Sequence, residues 1–170
     1  MPILDYRKHA KQLRLTNRQV TKEDLLTLEF KNNLQSMESL LKRDGVGLAA
    51  PQIDWHIKLF LLCIDDQGKD APIRVFLNPH ILAVSKATNK QTEGCLSLPG
   101  LFLEVKRPTT IEWEFTDLNW QTHRVNSHEF FARAVLHETD HCESKVFIDH
   151  ATSVQKLKVN RWLKGTDMLL

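Results

Sequence analysis

The segment His137-Glu138-Thr139-Asp140-His141 constrains this chain more than any other. Residues four apart lie one helical turn above one another. His137 and His141 therefore reach a single cation only if the stretch is a helix, which also carries Glu138 to the side of a water on that cation. A surface helix with two solvated histidines would carry the same letters, so the reading depends on a third donor.

A distant glutamate downstream is excluded as that donor, because only residues 142–170 follow and none after Glu143 is a glutamate. A third histidine six residues beyond His141 is also missing, that position being Phe147. Asp149 and His150 remain as downstream donors, close behind the helix and reachable only by a tight return. Upstream, Glu93-Gly94-Cys95-Leu96-Ser97-Leu98-Pro99-Gly100 sets a cysteine in a glycine-flanked loop whose backbone can approach another group closely. Cys95 is the better-placed donor, and a nearby cation would hold it as a thiolate. Cys63, inside an apolar run, and Cys142, at the end of the helix, read as structural thiols.

A third block, Gly45-Val46-Gly47-Leu48-Ala49-Ala50-Pro51-Gln52, has glycines that let a ligand's main chain pair with it. It lacks the Lys-Ser/Thr ending of a phosphate loop, and an ordinary turn before a strand would explain it equally well. Gln52, polar among apolar neighbours, can turn inward as an amide donor.

The remaining pattern predicts an α+β fold in a single domain, 1–170, with antiparallel strands wrapped around a central metal-binding helix, an N-terminal helix and a C-terminal helix. Helical spacing from Thr21 to Arg43, with Thr21 as cap, predicts the first long helix. Ile57–Ile64 and Ile73–Leu77 read as inner strands, the second ended by Asn78-Pro79. Alternation over 101–106 and 110–115 predicts half-buried strands, with a turn at Asp117-Leu118-Asn119 before the next one. Ser127 is placed to cap the metal-binding helix, and a last helix runs over 153–163 until Gly165.

The 23 basic and 21 acidic residues leave a formal charge of +2, too balanced for a DNA-binding protein. No apolar run approaches the roughly 20 residues of a membrane span, and the first residues lack the apolar core of a secretory signal. Three cysteines form no paired framework and suit a reducing compartment, so a cytoplasmic enzyme is expected.

In their order and spacing the three blocks resemble the motifs of peptide deformylases: Gly-x-Gly-Leu-Ala-Ala-x-Gln, Glu-Gly-Cys-Leu-Ser and His-Glu-x-Asp-His. The likeness runs from about Gly45 to Asp149, and Gln52-Ile53-Asp54-Trp55-His56 with the charged last helix is similar to bacterial members with a helical carboxyl terminus. The resemblance implies hydrolysis of the N-formyl group from the first methionine of nascent polypeptides, releasing formate. It implies one divalent ion held by Cys95, His137 and His141, usually Fe2+ in the cell, with Zn2+, Ni2+ or Co2+ able to replace it. Glu138 would be the general base, and Gln52 with the Leu96 N–H would bind the developing oxyanion. Gly45, Gly47 and Gly94 would pair with the substrate backbone, and Val46, Leu96, Phe130, Ala134 and His137 would line the methionine pocket. In some relatives a basic last helix docks on the ribosome, and Lys156, Lys158, Arg161 and Lys164 are the counterpart here, although a solvated basic face carries the same letters.

Some positions depart from the family pattern. Leu136 stands where a glutamine usually precedes the helix motif, Ser144 where a glycine usually follows it, Phe102 in place of an arginine near the entrance, and Gln91 where an aliphatic pocket residue is common. Two other functions compete: a small metallopeptidase with an open cleft for internal peptide bonds, and a noncatalytic relative that binds amino termini.

Overall fold

The computed structural model describes residues 2–42, 45–65 and 68–165. In chain order it contains α1 (Tyr6–His9), α2 (Leu28–Leu41), β1 (Gly47–Ala49), β2 (Leu59–Ile64), β3 (Asp70–Val84), β4 (Thr88–Cys95), β5 (Leu98–Pro108), β6 (Thr110–Thr116), β7 (Thr122–His128), α3 (Glu129–Cys142) and α4 (Ser153–Leu163). All strand pairs are antiparallel, in a five-stranded sheet of order β1-β2-β3-β6-β7 and a separate β4-β5 hairpin. The expected α+β fold around a central helix is what forms.

The apolar run of β2 explains how one strand serves two layers. Successive side chains point to opposite faces. Leu59 and Leu61 pack with Phe30, Met37 and Leu41 of α2, while Phe60, Leu62 and Ile64 pack with Phe131, Ala132 and Val135 of α3. On the other side of the molecule, Leu98, Leu101, Leu103 and Val105 of β5 join Phe147 and the α4 residues Val159 and Trp162. The metal-motif helix is thus held between the large sheet and the hairpin.

Local expectations differ from the structure at four places. The first long helix starts at Leu28 with Thr27 as cap, its hydroxyl accepting from the Phe30 N–H at 3.1 Å. Thr21 does not cap it: the Asp24 carboxylate takes the Thr21 N–H and the Arg18 guanidinium, closing a separate 3-10 turn. Arg43, expected at the helix end, lies outside the described residues. Strand β3 does not end at Asn78-Pro79. Asn78 sits at φ 52 in a register shift between Leu77 and His80, and its amide bonds both the N–H and the carbonyl of Val20, so proline falls where the ladder is already interrupted. Ser127 belongs to β7 and accepts from the Trp113 indole at 2.9 Å, leaving His128 as a cap without a side-chain bond. Cys95 is the last residue of a strand rather than part of a loop: it pairs with Leu98 across the two-residue turn Leu96-Ser97.

Ser144 ends α3 in the left-handed region. It takes φ 62, its N–H bonds the His141 carbonyl and the Lys145 N–H bonds the Asp140 carbonyl, the two bonds of a Schellman ending. Leu136 is partly buried against the α3 core cluster.

Candidate metal centre

Two segments deliver the three donors. The β4-β5 turn presents Cys95, and one face of α3 presents His137 and His141. Among the described residues these three form the group of donor side chains close enough for one cation, with ligand atoms all within 4.8 Å of one another. Cys95 Sγ and His141 Nε2 are 3.3 Å apart. The downstream alternatives are spent elsewhere: Asp149 pairs with Arg14, and His150 pairs with Asp140.

The electrostatics of this corner call for positive charge. Burial pushes the Cys95 thiol up, but the charge of His141 and hydrogen bonds from both histidines pull it down to about 5, so the sulfur is a thiolate. Burial opposes charge on His137 as well, yet its bonds to Cys95 and Glu93 hold the protonated ring well above the usual histidine range. Two further atoms lie buried without a hydrogen-bond partner among the described residues, Glu138 Oε2 and His141 Nδ1. Burial lifts the Glu138 carboxyl to about 7 against the pull of His137 and His141. One thiolate, two imidazoles and an unsatisfied carboxyl suit a borderline divalent cation.

Gln52 turns inward. Its Oε1 accepts from the Ala49 N–H at 2.9 Å, which directs Nε2 toward Ser97 Oγ at 3.2 Å and Cys95 Sγ at 3.5 Å. Gly47 lets Glu138 approach the β1 backbone: a Cβ there would lie 2.9 Å from both Glu138 Cδ and Leu62 Cδ2. A cavity of about 460 Å³ opens beside these groups. Gly45, Val46, Gly47, Gly94, Leu96, Phe130, Ala134 and His137 all line it. Phe102 reaches it too, half exposed and packed over Gly94. Gln91 is not on this wall; Thr92 and Arg133 are.

A buried ionic network behind His137 escaped the sequence reading. Glu93 Oε2 lies 3.0 Å from His137 Nδ1, which leaves Nε2 for a cation. The same carboxylate accepts from Arg107 Nε at 2.8 Å and Arg133 Nη1 at 2.5 Å. Arg107 continues to Asp140 at 2.7 Å. Glu93 and Asp140 stood inside motifs already singled out, but nothing local marked Arg107 or Arg133 as their partners.

The family model described as polypeptide deformylase matches residues 1–157. Peptide deformylase of Prochlorococcus marinus (strain MIT 9515) is 33% identical over 156 residues, covering 92% of this chain and 76% of that one. The Bradyrhizobium diazoefficiens enzyme is 35% identical over 159 residues, covering 91% and 88%. Among solved structures, Plasmodium falciparum peptide deformylase in complex with an inhibitor superimposes with a TM-score of 0.81 at 29% identity, covering 97% of this chain and 98% of that one. The Met-Ala-Ser-bound Acinetobacter baumannii enzyme gives 0.79 at 25% identity, covering 89% and 98%. With the donor cluster and the cavity, these matches mean that the chain belongs to the polypeptide deformylase family.

Proposed function

We propose that Cys95, His137 and His141 hold one divalent cation at which Glu138, Gln52 and the Leu96 N–H carry out the reaction of the family, removal of the N-formyl group from the N-terminal methionine of newly made polypeptides. The observation that carries this assignment is the convergence of one sulfur and two imidazoles within 4.8 Å, beside a buried carboxyl with no hydrogen-bond partner on one oxygen among the described residues. When bound, the cation supplies Lewis acidity, lowering the pKa of a water and drawing charge from the formyl oxygen.

The chain's own groups supply the rest. Glu138 takes a proton as water attacks the formyl carbon and returns one to the departing nitrogen as the C–N bond breaks, so formate and a free amine leave. The Gln52 amide, held by Ala49, and the Leu96 N–H at the β4-β5 turn are the donors for the oxygen that gains charge. Gly45, Gly47 and Gly94 leave backbone room for the peptide, and Val46, Phe130 and Ala134 supply apolar surface for the first side chain. The Met-Ala-Ser peptide in the Acinetobacter relative supports a substrate of this class.

Iron is the metal we expect in the cell, with zinc, nickel or cobalt able to substitute, because a thiolate with two imidazoles suits all four. A cytoplasmic site of action agrees with free cysteines and with no described helix being long and apolar enough to cross a membrane. Ribosome docking through α4 is supported by the exposed Lys156, Lys158, Arg161 and Lys164; Lys158 also bonds the Phe102 carbonyl at 3.0 Å.

The test is formate release from formyl-Met-Ala-Ser by anaerobically purified protein, before and after chelation. Activity is expected only with metal present and only on the formylated peptide. Cleavage of an internal peptide bond instead, or binding with turnover no better than that of Glu138→Gln, would refute the assignment.

A further inference from the structure

The two histidines are held differently. His137 has its Nδ1 fixed by Glu93 at 3.0 Å, whereas His141 Nδ1 is fully buried and makes no hydrogen bond among the described residues. A metal-binding imidazole normally donates its second nitrogen to a partner that sets the ring's orientation. Here the backbone that carries the ring is held instead. The segment before α2 passes under the end of α3, and Asn17 Nδ2 donates to the carbonyls of His141 and Cys142, both at 3.1 Å. These are among the last carbonyls of the helix; that of His141 also accepts from the Ser144 N–H at 3.1 Å, so Asn17 reinforces the helix ending at this ligand. Asn17 is 4% exposed and its Oδ1 has no partner among the described residues, so only its donor side offsets the burial of this amide.

We propose that Asn17 is a positioning residue for the metal centre, fixing His141 through its main chain. The same N-terminal arm also ties the other two blocks of the site: the Leu4 N–H bonds the Gln52 carbonyl and the Tyr6 N–H bonds the Ser97 carbonyl, each at 2.8 Å. All three motifs are therefore registered against one stretch of chain. Of these ties, Asn17 is the one made by a side chain to a ligand residue, so it can be removed without altering the backbone.

This inference rests on Cys95, His137 and His141 binding one cation. The experiment uses Co2+ with the full-length protein, following the thiolate charge-transfer and d–d absorption bands and obtaining affinity by chelator competition, alongside urea unfolding of the metal-free forms. Asn17→Ala removes the amide; Asn17→Leu keeps its heavy-atom count and branch at Cγ in a bulkier side chain, supplies no donor, and carries the test if the alanine variant does not fold. Asn78→Ala is the control, since Asn78 ties the same arm to β3 through Val20 and touches no donor residue. Both Asn17 variants are expected to bind Co2+ about 10- to 100-fold more weakly with altered d–d bands. Asn78→Ala should lose stability while keeping wild-type affinity and spectrum. Wild-type affinity and spectrum in folded Asn17→Leu would overturn the proposal alone. Failure of the wild-type protein to take up one Co2+ with a thiolate band would overturn the metal assignment itself.

Discussion

Removing the Glu93 side chain should cost this protein much of its stability and loosen its metal at the same time. Both Glu93 oxygens are committed, Oε1 to Arg107 and Arg133 and Oε2 to Arg107 and His137. The side chains of Glu93, Arg107 and Arg133 are each about 5% exposed or less. Glu93→Ala therefore leaves two buried guanidiniums with Asp140 as the remaining counter-charge in the network. Breaking a buried ion pair by deleting one partner costs about 3–5 kcal/mol, a large share of the roughly 5–15 kcal/mol that holds a domain folded. A loss near 4 kcal/mol is expected in urea unfolding of the metal-free protein, with metal affinity about 10- to 100-fold weaker because His137 loses its orienting partner. The pH dependence adds a signature. Burial pushes the Glu93 carboxyl up, but Arg107 and His137 outweigh it and hold it far below the usual carboxylate range. Its folded value is thus depressed, so the stabilisation is complete above the unfolded value and is lost as pH falls toward the folded one. The stability gap between wild type and Glu93→Gln should be flat at neutral pH and shrink once pH drops below about 4.5. A loss below about 1 kcal/mol in Glu93→Ala, with metal affinity unchanged, would refute this account of the network.

Glu138→Gln should lower kcat by about 10²- to 10⁴-fold. In the metal-free protein the same change should stabilise: burial lifts the carboxyl to about 7 from 4.5, so the folded chain holds a proton there that the unfolded chain releases, and stability falls as pH rises through that window. Urea unfolding of chelated samples at pH above 7 should find the variant more stable by up to about 3 kcal/mol; equal stabilities would contradict the burial argument. Gly47→Ala puts a Cβ against Glu138 and Leu62, and kcat on formyl-Met-Ala-Ser should drop about 100-fold as the carboxyl is displaced, checked by steady-state kinetics beside an unfolding curve. Charge reversal at Lys156, Arg161 and Lys164 should weaken co-sedimentation with ribosomes and leave kcat on the tripeptide unchanged.

Periodicity and caps are local properties, and where they decide the outcome the sequence sufficed. The four-residue spacing of His137 and His141 demanded a helix, the uninterrupted apolar run of β2 demanded a strand buried on both faces, and the inward turn of Gln52 followed from a lone polar residue among apolar ones. The choice of third donor was a different kind of question. Cys95, Asp149 and His150 were all chemically competent, and only the folded chain excludes the last two, by giving Asp149 to Arg14 and His150 to Asp140. Ser127 failed as a cap for the same reason, since it accepts from Trp113, whereas Thr21 failed locally, its hydroxyl accepting from the Asp24 N–H at 3.4 Å in an earlier turn. Asn78-Pro79 continues a strand because Val20, far away in sequence, satisfies the asparagine at the bulge. A polar side chain has few hydrogen bonds to give, and which partner receives them is decided by distances that exist only after the chain has closed on itself. The Glu93-Arg107-Arg133 network and the grip of Asn17 on the end of α3 belong to that second class, built from residues whose letters alone carry no sign of each other.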